Sequence, residues 1–221
     1  MRNKPSQWLA AIALTAFTAF TLVAGALPAQ AQAQLTAGRD YIVLNPALPT
    51  DNPAKVEVIE FFSFACPHCA DLAPSAAKWS AKLPADVAFR RVPVSFNPYY
   101  ALMAKVFYAL DAIGELQRLD APLFDAIHVK GLKLIDDKSL IDWASSQGVD
   151  AKKFSDALKA FSVDTKTKQA DALTRSGKIP GVPAFVVNGR YLVSNEAAAQ
   201  HGGVLALTDK VIAMARSEQK K

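Results

Sequence analysis

The chain has 221 residues, 25 Lys and Arg against 20 Asp and Glu, a formal net charge of +5 and 51% hydrophobic residues. That length and apolar content suit one folded domain with an elaboration, and exclude a chain too polar to build a core. The basic residues are scattered apart from Lys220-Lys221, without interleaved aromatics or a reader motif, so no nucleic-acid partner is expected.

Arg2 and Lys4 precede an uncharged, mainly apolar stretch from Trp8 to Leu27, followed by Pro28-Ala29-Gln30-Ala31-Gln32-Ala33. A basic start, an apolar run and small residues at A-x-A spacing form a secretory signal layout. Residues 1–33 are therefore read as a signal peptide cut near Ala31 or Ala33. The run is also long enough to cross a bilayer, so an uncleaved anchor stays open. Either way the folded part is exported, and the bacterial periplasm, where disulfides persist, is the expected compartment.

Tyr41 to Leu44 reads as a short strand stopped by Asn45-Pro46. Val56 to Phe64 is β-branched and aromatic with apolar residues on both faces, as in buried parallel strands. A helix is predicted from Pro67 to about Ala81, bent at Pro74, because proline fits a first turn and disrupts an interior one. Val87 to Phe96 is the next strand. Helices are then predicted over Tyr99–Ile113, Pro122–Val129, Lys138–Ser146 and Ala151–Phe161. In the last of these Asp150 is the N-cap, and Phe154, Leu158 and Phe161 share a stripe. Asp164 to Ser176 is a longer, polar helix. Ala184–Val187 and Arg190–Val193 flank Asn188-Gly189, a type I′ hairpin signal, and Gly203–Arg216 is a final amphipathic helix. The fold class is α/β, with a sheet domain over 40–97 and 164–221 interrupted by a helical insertion over 98–163.

Cys66-Pro67-His68-Cys69 contains the only two cysteines. A crosslink closing so small a ring removes little freedom from the unfolded chain, because its entropic value grows with loop length. The pair therefore reads as chemistry, a dithiol that opens and closes. Structural zinc usually takes four protein ligands, and no second CxxC or paired-histidine spacing exists, so no metal is expected. At a helix start the Cys66 sulfur can meet unpaired N–H groups, those of His68 and Cys69, and the positive helix end. A protonated His68 at about 4 Å would add roughly 4 kcal/mol before desolvation, at an effective dielectric of about 20. Stabilising the thiolate makes the disulfide easier to reduce, so the protein should oxidise others. Cys66 is the attacked sulfur and Cys69 the resolving partner. Glu60 shares a strand face with Val56, Val58, Phe62 and Phe64, which buries it and raises its pKa, suiting it to relay a proton. Phe96, Tyr99, Tyr100 and Phe107 are candidates for an apolar client groove, whereas His128 and His201 read as surface or packing residues.

The order strand, CxxC at a helix start, strand, helical block, Pro-led hairpin and last helix is that of a thioredoxin fold with an insertion. With Glu60-Phe61-Phe62-Ser63-Phe64-Ala65-Cys66-Pro67-His68-Cys69 and Gly181-Val182-Pro183-Ala184-Phe185-Val186-Val187-Asn188-Gly189-Arg190-Tyr191, residues 40–218 resemble the DsbA family of periplasmic thiol:disulfide oxidoreductases. The resemblance implies that the Cys66–Cys69 disulfide, with no other cofactor, passes to exported unfolded proteins carrying free cysteines. It further implies reoxidation by a DsbB-like quinone-coupled membrane protein. Pro183 is expected in cis, with Val182 offering backbone groups to a client strand. The family pairs its buried Glu with a Lys on the next strand; Arg91 falls at that position and would hold its proton. A monomer is expected. A reductase or isomerase of the same fold and a non-catalytic holdase are the competing readings.

Overall fold

The computed structural model describes residues 35–219; the signal-like segment, its cleavage positions and the terminal Lys220-Lys221 lie outside them. Among the described residues five strands form one sheet in the order β1-β5-β4-β2-β3. They are β1 (Ile42–Val43), β2 (Val56–Phe62), β3 (Val87–Pro93), β4 (Ala184–Val187) and β5 (Tyr191–Ser194). β2 runs parallel to β3 and antiparallel to β4, and β5 joins β4 to β1 by antiparallel pairing. Every residue of β2 is buried, which is why its code is apolar on both faces. The β4–β5 turn places Asn188 at φ 52° and Gly189 at φ 65°, as a type I′ turn requires. A side chain at Gly189 would sit 2.1 Å from the Leu48 carbonyl oxygen, so both space and backbone angle demand glycine there.

Helices cover both sheet faces. On one face Val56, Val58, Phe185 and Val193 pack against α8 (Val204–Gln219) and against Leu72 and Trp79 of α1 (Pro67–Ser80). On the other, Ile59, Phe61, Val92 and Val186 pack against Ala170 and Leu173 of α6 (Phe161–Ser176). A third cluster joins Phe62, Phe64 and both cysteines to the helical block. That block comprises α2 (Pro98–Ala112), α3 (Leu116–His128), α4 (Asp137–Ser146) and α5 (Ala151–Lys159). A short helix α7 (Asn195–Ala198) precedes α8.

Two helix boundaries differ from expectation. α3 begins at Leu116, so Pro122 lies inside it rather than opening it. The chain breaks at Ala160 (ψ 135°), so Phe161 starts α6, stands 84% exposed and leaves the α5 stripe to Phe154, Ala157 and Leu158. α6 contacts both α2 and β3 and runs unbroken through 163/164, so that expected boundary falls inside one helix.

Candidate active site

β2 aims its C-terminal end at the start of α1. Phe61 and Phe62 are its last sheet residues, Ser63–Ala65 turn, and Cys66 becomes the N-cap residue of α1 in extended conformation (φ −91°, ψ 119°) with Pro67 behind it. The turn is closed by Cys66 N–H donating to Ser63 O at 3.1 Å and Ala65 N–H to Ser63 Oγ at 3.1 Å. Below it Phe62, Phe64, Phe107 and Phe124 pack edge to face, with Phe64 and Phe124 centroids 4.9 Å apart. This aromatic floor joins the helical block to the redox turn. Phe107 is buried in it and is therefore core rather than groove, whereas Phe96 is exposed and stacks on Tyr100.

Both cysteines are free thiols, with Cys66 4% and Cys69 1% exposed. Their acidities are split. Cys66 is lowered to about 6, chiefly because the Cys69 thiol donates to it, with the backbone N–H groups of Cys69 and His68 and the Tyr100 hydroxyl adding to this against the cost of burial. The Cys69 thiol is pushed far up, first by that same hydrogen bond and then by burial. An N-cap side chain ordinarily accepts from the N–H groups two and three residues on. Here those belong to His68 and Cys69. The neutral Cys66 thiol makes no capping bond and instead donates to Val182 O at 3.4 Å.

Val182 is thus brought onto the reactive sulfur from the start of β4, and the Val182–Pro183 bond is cis, as is Asn45–Pro46. The ring of His68 is exposed and makes no hydrogen bond or ion pair with the described residues; its N–H, not its ring, bears on Cys66. Glu60 is 3% exposed and lies opposite Arg91 in the β2–β3 register, as the sequence reading placed them. Arg91 Nε is 3.1 Å from Glu60 Oε2, but the N–H is not aligned and Nε makes no hydrogen bond. Arg91 Nη1 instead donates to Asp120 Oδ1 at 2.5 Å, and the guanidinium lies 3.7 Å over the Phe62 ring. Glu60 is raised, with burial outweighing the opposing charge of Arg91 and Asp120 raising it further. Its charge reaches Cys69.

Sequence reasoning missed three contributors. Tyr100 sits on α2, 31 residues from the N–H donors it assists, and read only as a groove candidate. Asp120 carries no motif. His128 is not a bystander: its Nε2–H donates to Phe64 O at 2.7 Å, tying the end of α3 to the redox turn. Nor is His201 a lone surface residue, since its Nε2 meets the buried Asp40 Oδ1 at 2.9 Å. All four partnerships are tertiary, so only the aromatic and charged residue types were visible in the chain. Among the described residues no group of three or more His, Cys, Asp or Glu is placed to hold a metal, and no helix is long and apolar enough to cross a membrane.

The DSBA-like thioredoxin domain family matches residues 57–202. Thiol:disulfide interchange protein DsbA of Bordetella parapertussis is 38% identical over 206 residues, covering 93% of this chain and 95% of that protein. The Pseudomonas aeruginosa protein of the same name is 34% identical over 94% of this chain and 98% of its own. Its crystal structure superposes with a TM-score of 0.79 over 85% of this chain and 97% of that one, at 34% identity. The Neisseria meningitidis oxidoreductase NmDsbA1 gives 0.74 at 28% identity, over 86% of this chain and 98% of that one. With a thioredoxin-type sheet, a helical insertion and an acid-split CxxC dithiol already in place, these matches establish that the chain belongs to the DsbA-like thioredoxin domain family and is a protein disulfide oxidoreductase.

Proposed function

We propose that the protein is a periplasmic dithiol oxidase that donates its Cys66–Cys69 disulfide to newly exported proteins and is reoxidised by a DsbB-like quinone-coupled membrane protein. The observation that carries this reading is the split between the two thiols: one sulfur favours the thiolate and its neighbour strongly resists it. A disulfide whose reduced form gains a stabilised thiolate accepts electrons readily.

The client thiolate attacks Cys66 Sγ, and the Cys66–Cys69 bond breaks as the mixed disulfide forms. The electron pair goes to Cys69, whose sulfur is a poor anion and takes a proton from Glu60. A second client thiolate then attacks the client sulfur of the mixed disulfide. Cys66 leaves as a thiolate, held by the N–H groups of Cys69 and His68 and by Tyr100. Pro67 fixes the first turn of α1 without adding a donor. The exposed His68 ring adds a solvent-screened charge when protonated. In this reading the client backbone passes beside Pro183 and pairs with Val182, a role supported by the approach of Val182 O to the resting Cys66 thiol. Arg91 sets the charge beside Glu60.

Equilibration with a glutathione buffer tests the direction of electron flow. A potential well above the roughly −300 mV of structural bridges, with stoichiometric oxidised protein rapidly forming disulfides in a reduced unfolded client, is the expected result. A couple as reducing as a structural bridge would overturn the oxidase reading. In Cys69→Ser the Cys66 thiolate should attack the disulfide of an oxidised client, release one client thiolate and, with no Cys69 to displace the other, persist as a mixed disulfide visible by mass spectrometry.

A further inference from the structure

Two groups compete for one guanidinium beside the redox pair. Arg91 extends from β3 toward Glu60 on β2, but its aligned hydrogen bond goes to Asp120 on α3. The Phe62 ring at 3.7 Å and the Phe107 ring at 5.9 Å fix the plane of the guanidinium. Asp120 is three-quarters buried, so its charge acts at short range and is weakly screened. These three side chains meet at a cleft of about 450 Å³ whose α1 wall consists of Ala73, Ala76, Ala77 and Ser80. That wall brings no charge. The other carboxylate lining the cleft, Asp111 on α2, is paired with Lys166 at 2.9 Å. Arg90 is engaged by Glu57 and Asp51. The charged groups facing Glu60 are therefore Arg91 and Asp120, with the Cys69 thiol as the neutral titratable group beside them.

We propose that Asp120 is a positioning residue of the redox centre: it keeps the Arg91 N–H groups out of line with Glu60 in spite of their 3.1 Å approach, leaving that carboxyl able to give its proton to Cys69. The inference rests on the Glu60 role proposed above. Without Asp120, Arg91 loses its competing acceptor and can turn within the plane that the rings set into an aligned pair with Glu60, which would fix the carboxylate in its charged, proton-poor state. The donor is then missing at the moment the Cys66–Cys69 bond breaks and its electron pair falls to Cys69. With Asp120 in place, Glu60 gives up its proton, becomes a carboxylate, and is reprotonated from solvent through the cleft.

The test compares wild type with Asp120→Asn, which keeps size and an acceptor oxygen, and Asp120→Thr, which shortens the side chain. Glu60 is read directly by carbon-13 NMR of its carboxyl through a pH titration, and single-turnover oxidation of a dithiol peptide is followed over the same range. In both variants the Glu60 midpoint should fall, and the rate above the wild-type midpoint should fall by about three- to tenfold while the rate well below both midpoints stays unchanged, since protonated carboxyl is lost about tenfold per pH unit above its midpoint. In a Glu60→Gln background the same substitutions should leave the rate where Glu60→Gln alone puts it. Superimposable titrations of wild type and Asp120→Asn would overturn the proposal, as would a loss of rate that persists without Glu60. The NMR midpoint reads the Asp120 effect whichever way electrons flow, so a reducing glutathione potential would sink the oxidase reading separately.

Discussion

Glu57 and Glu60 lie three residues apart on β2, both buried, each with an arginine of β3 beside it, and they face opposite sides of the sheet. Their surroundings differ sharply. Glu57 Oε1 accepts from Arg90 Nε at 3.2 Å and Nη2 at 3.1 Å, while Oε2 accepts the Asp51 N–H at 2.8 Å. Its charge is fully answered, and the result is a staple between β2, β3 and the loop before β2. Glu60 has one unaligned ionic contact, shares its arginine with Asp120 and faces a cleft. The same residue pair in one sheet thus becomes structure or chemistry according to how many aligned donors reach the carboxylate.

The largest expected effect is on the staple. Glu57→Ala leaves the Asp51 amide without its acceptor and Arg90 with Asp51 as its one remaining carboxylate partner, and should cost about 3 kcal/mol, the low end for a broken buried pair because Arg90 is partly exposed and keeps Asp51. Urea denaturation measures it, and the pH profile of peptide oxidation should keep its wild-type shape. An unchanged midpoint would dissolve the contrast. Next comes the dithiol itself. The folded Cys66 pKa of about 6 lies below the unfolded value near 8.5, so its contribution is complete above the unfolded value and is lost as pH falls through about 6. Reduced protein should therefore gain about 2 kcal/mol over oxidised protein between pH 6 and 9, less than the full shift implies because the sulfur, though covered, lies close to solvent. Melting temperatures with and without reductant across that range check it. The smallest stability effect belongs to Glu60→Gln, within about 1 kcal/mol of wild type at pH values where the carboxyl is protonated. Because the Glu60 pKa is raised on folding, ionising it works against the fold, so the variant should become the more stable protein as pH rises. Its oxidation rate should be lower and should vary with pH only as the client thiolate does, and a wild-type rate profile would remove Glu60 from the relay.

The redox pair and the β4–β5 hairpin were legible in the chain because each is a local pattern whose residues act on their immediate neighbours. The Glu60–Arg91 pairing was legible too, since strand period and register propagate a known position across one hydrogen-bonded ladder. Pro122 misled for a physical reason. It was read as a first-turn residue, but the chain re-enters a helix directly after Gly114-Glu115, so α3 carries a proline in its interior. Phe161 misled because helical periodicity continues across Ala160 although the backbone does not. Asp120, Tyr100 and His128 act through partners 29, 34 and 64 residues away. No window along the sequence contains both halves of those contacts.

Cys66 occupies the capping position of α1, where a helix normally ends on an oxygen acceptor. In the disulfide that acceptor is electron-poor, and the first turn of α1 is left open. Once a thiolate forms, the amides of His68 and Cys69 acquire a strong local partner. Deuterium uptake at those two backbone sites should slow on reduction, so the protein carries a label-free reporter of its own oxidation state in the opening turn of one helix.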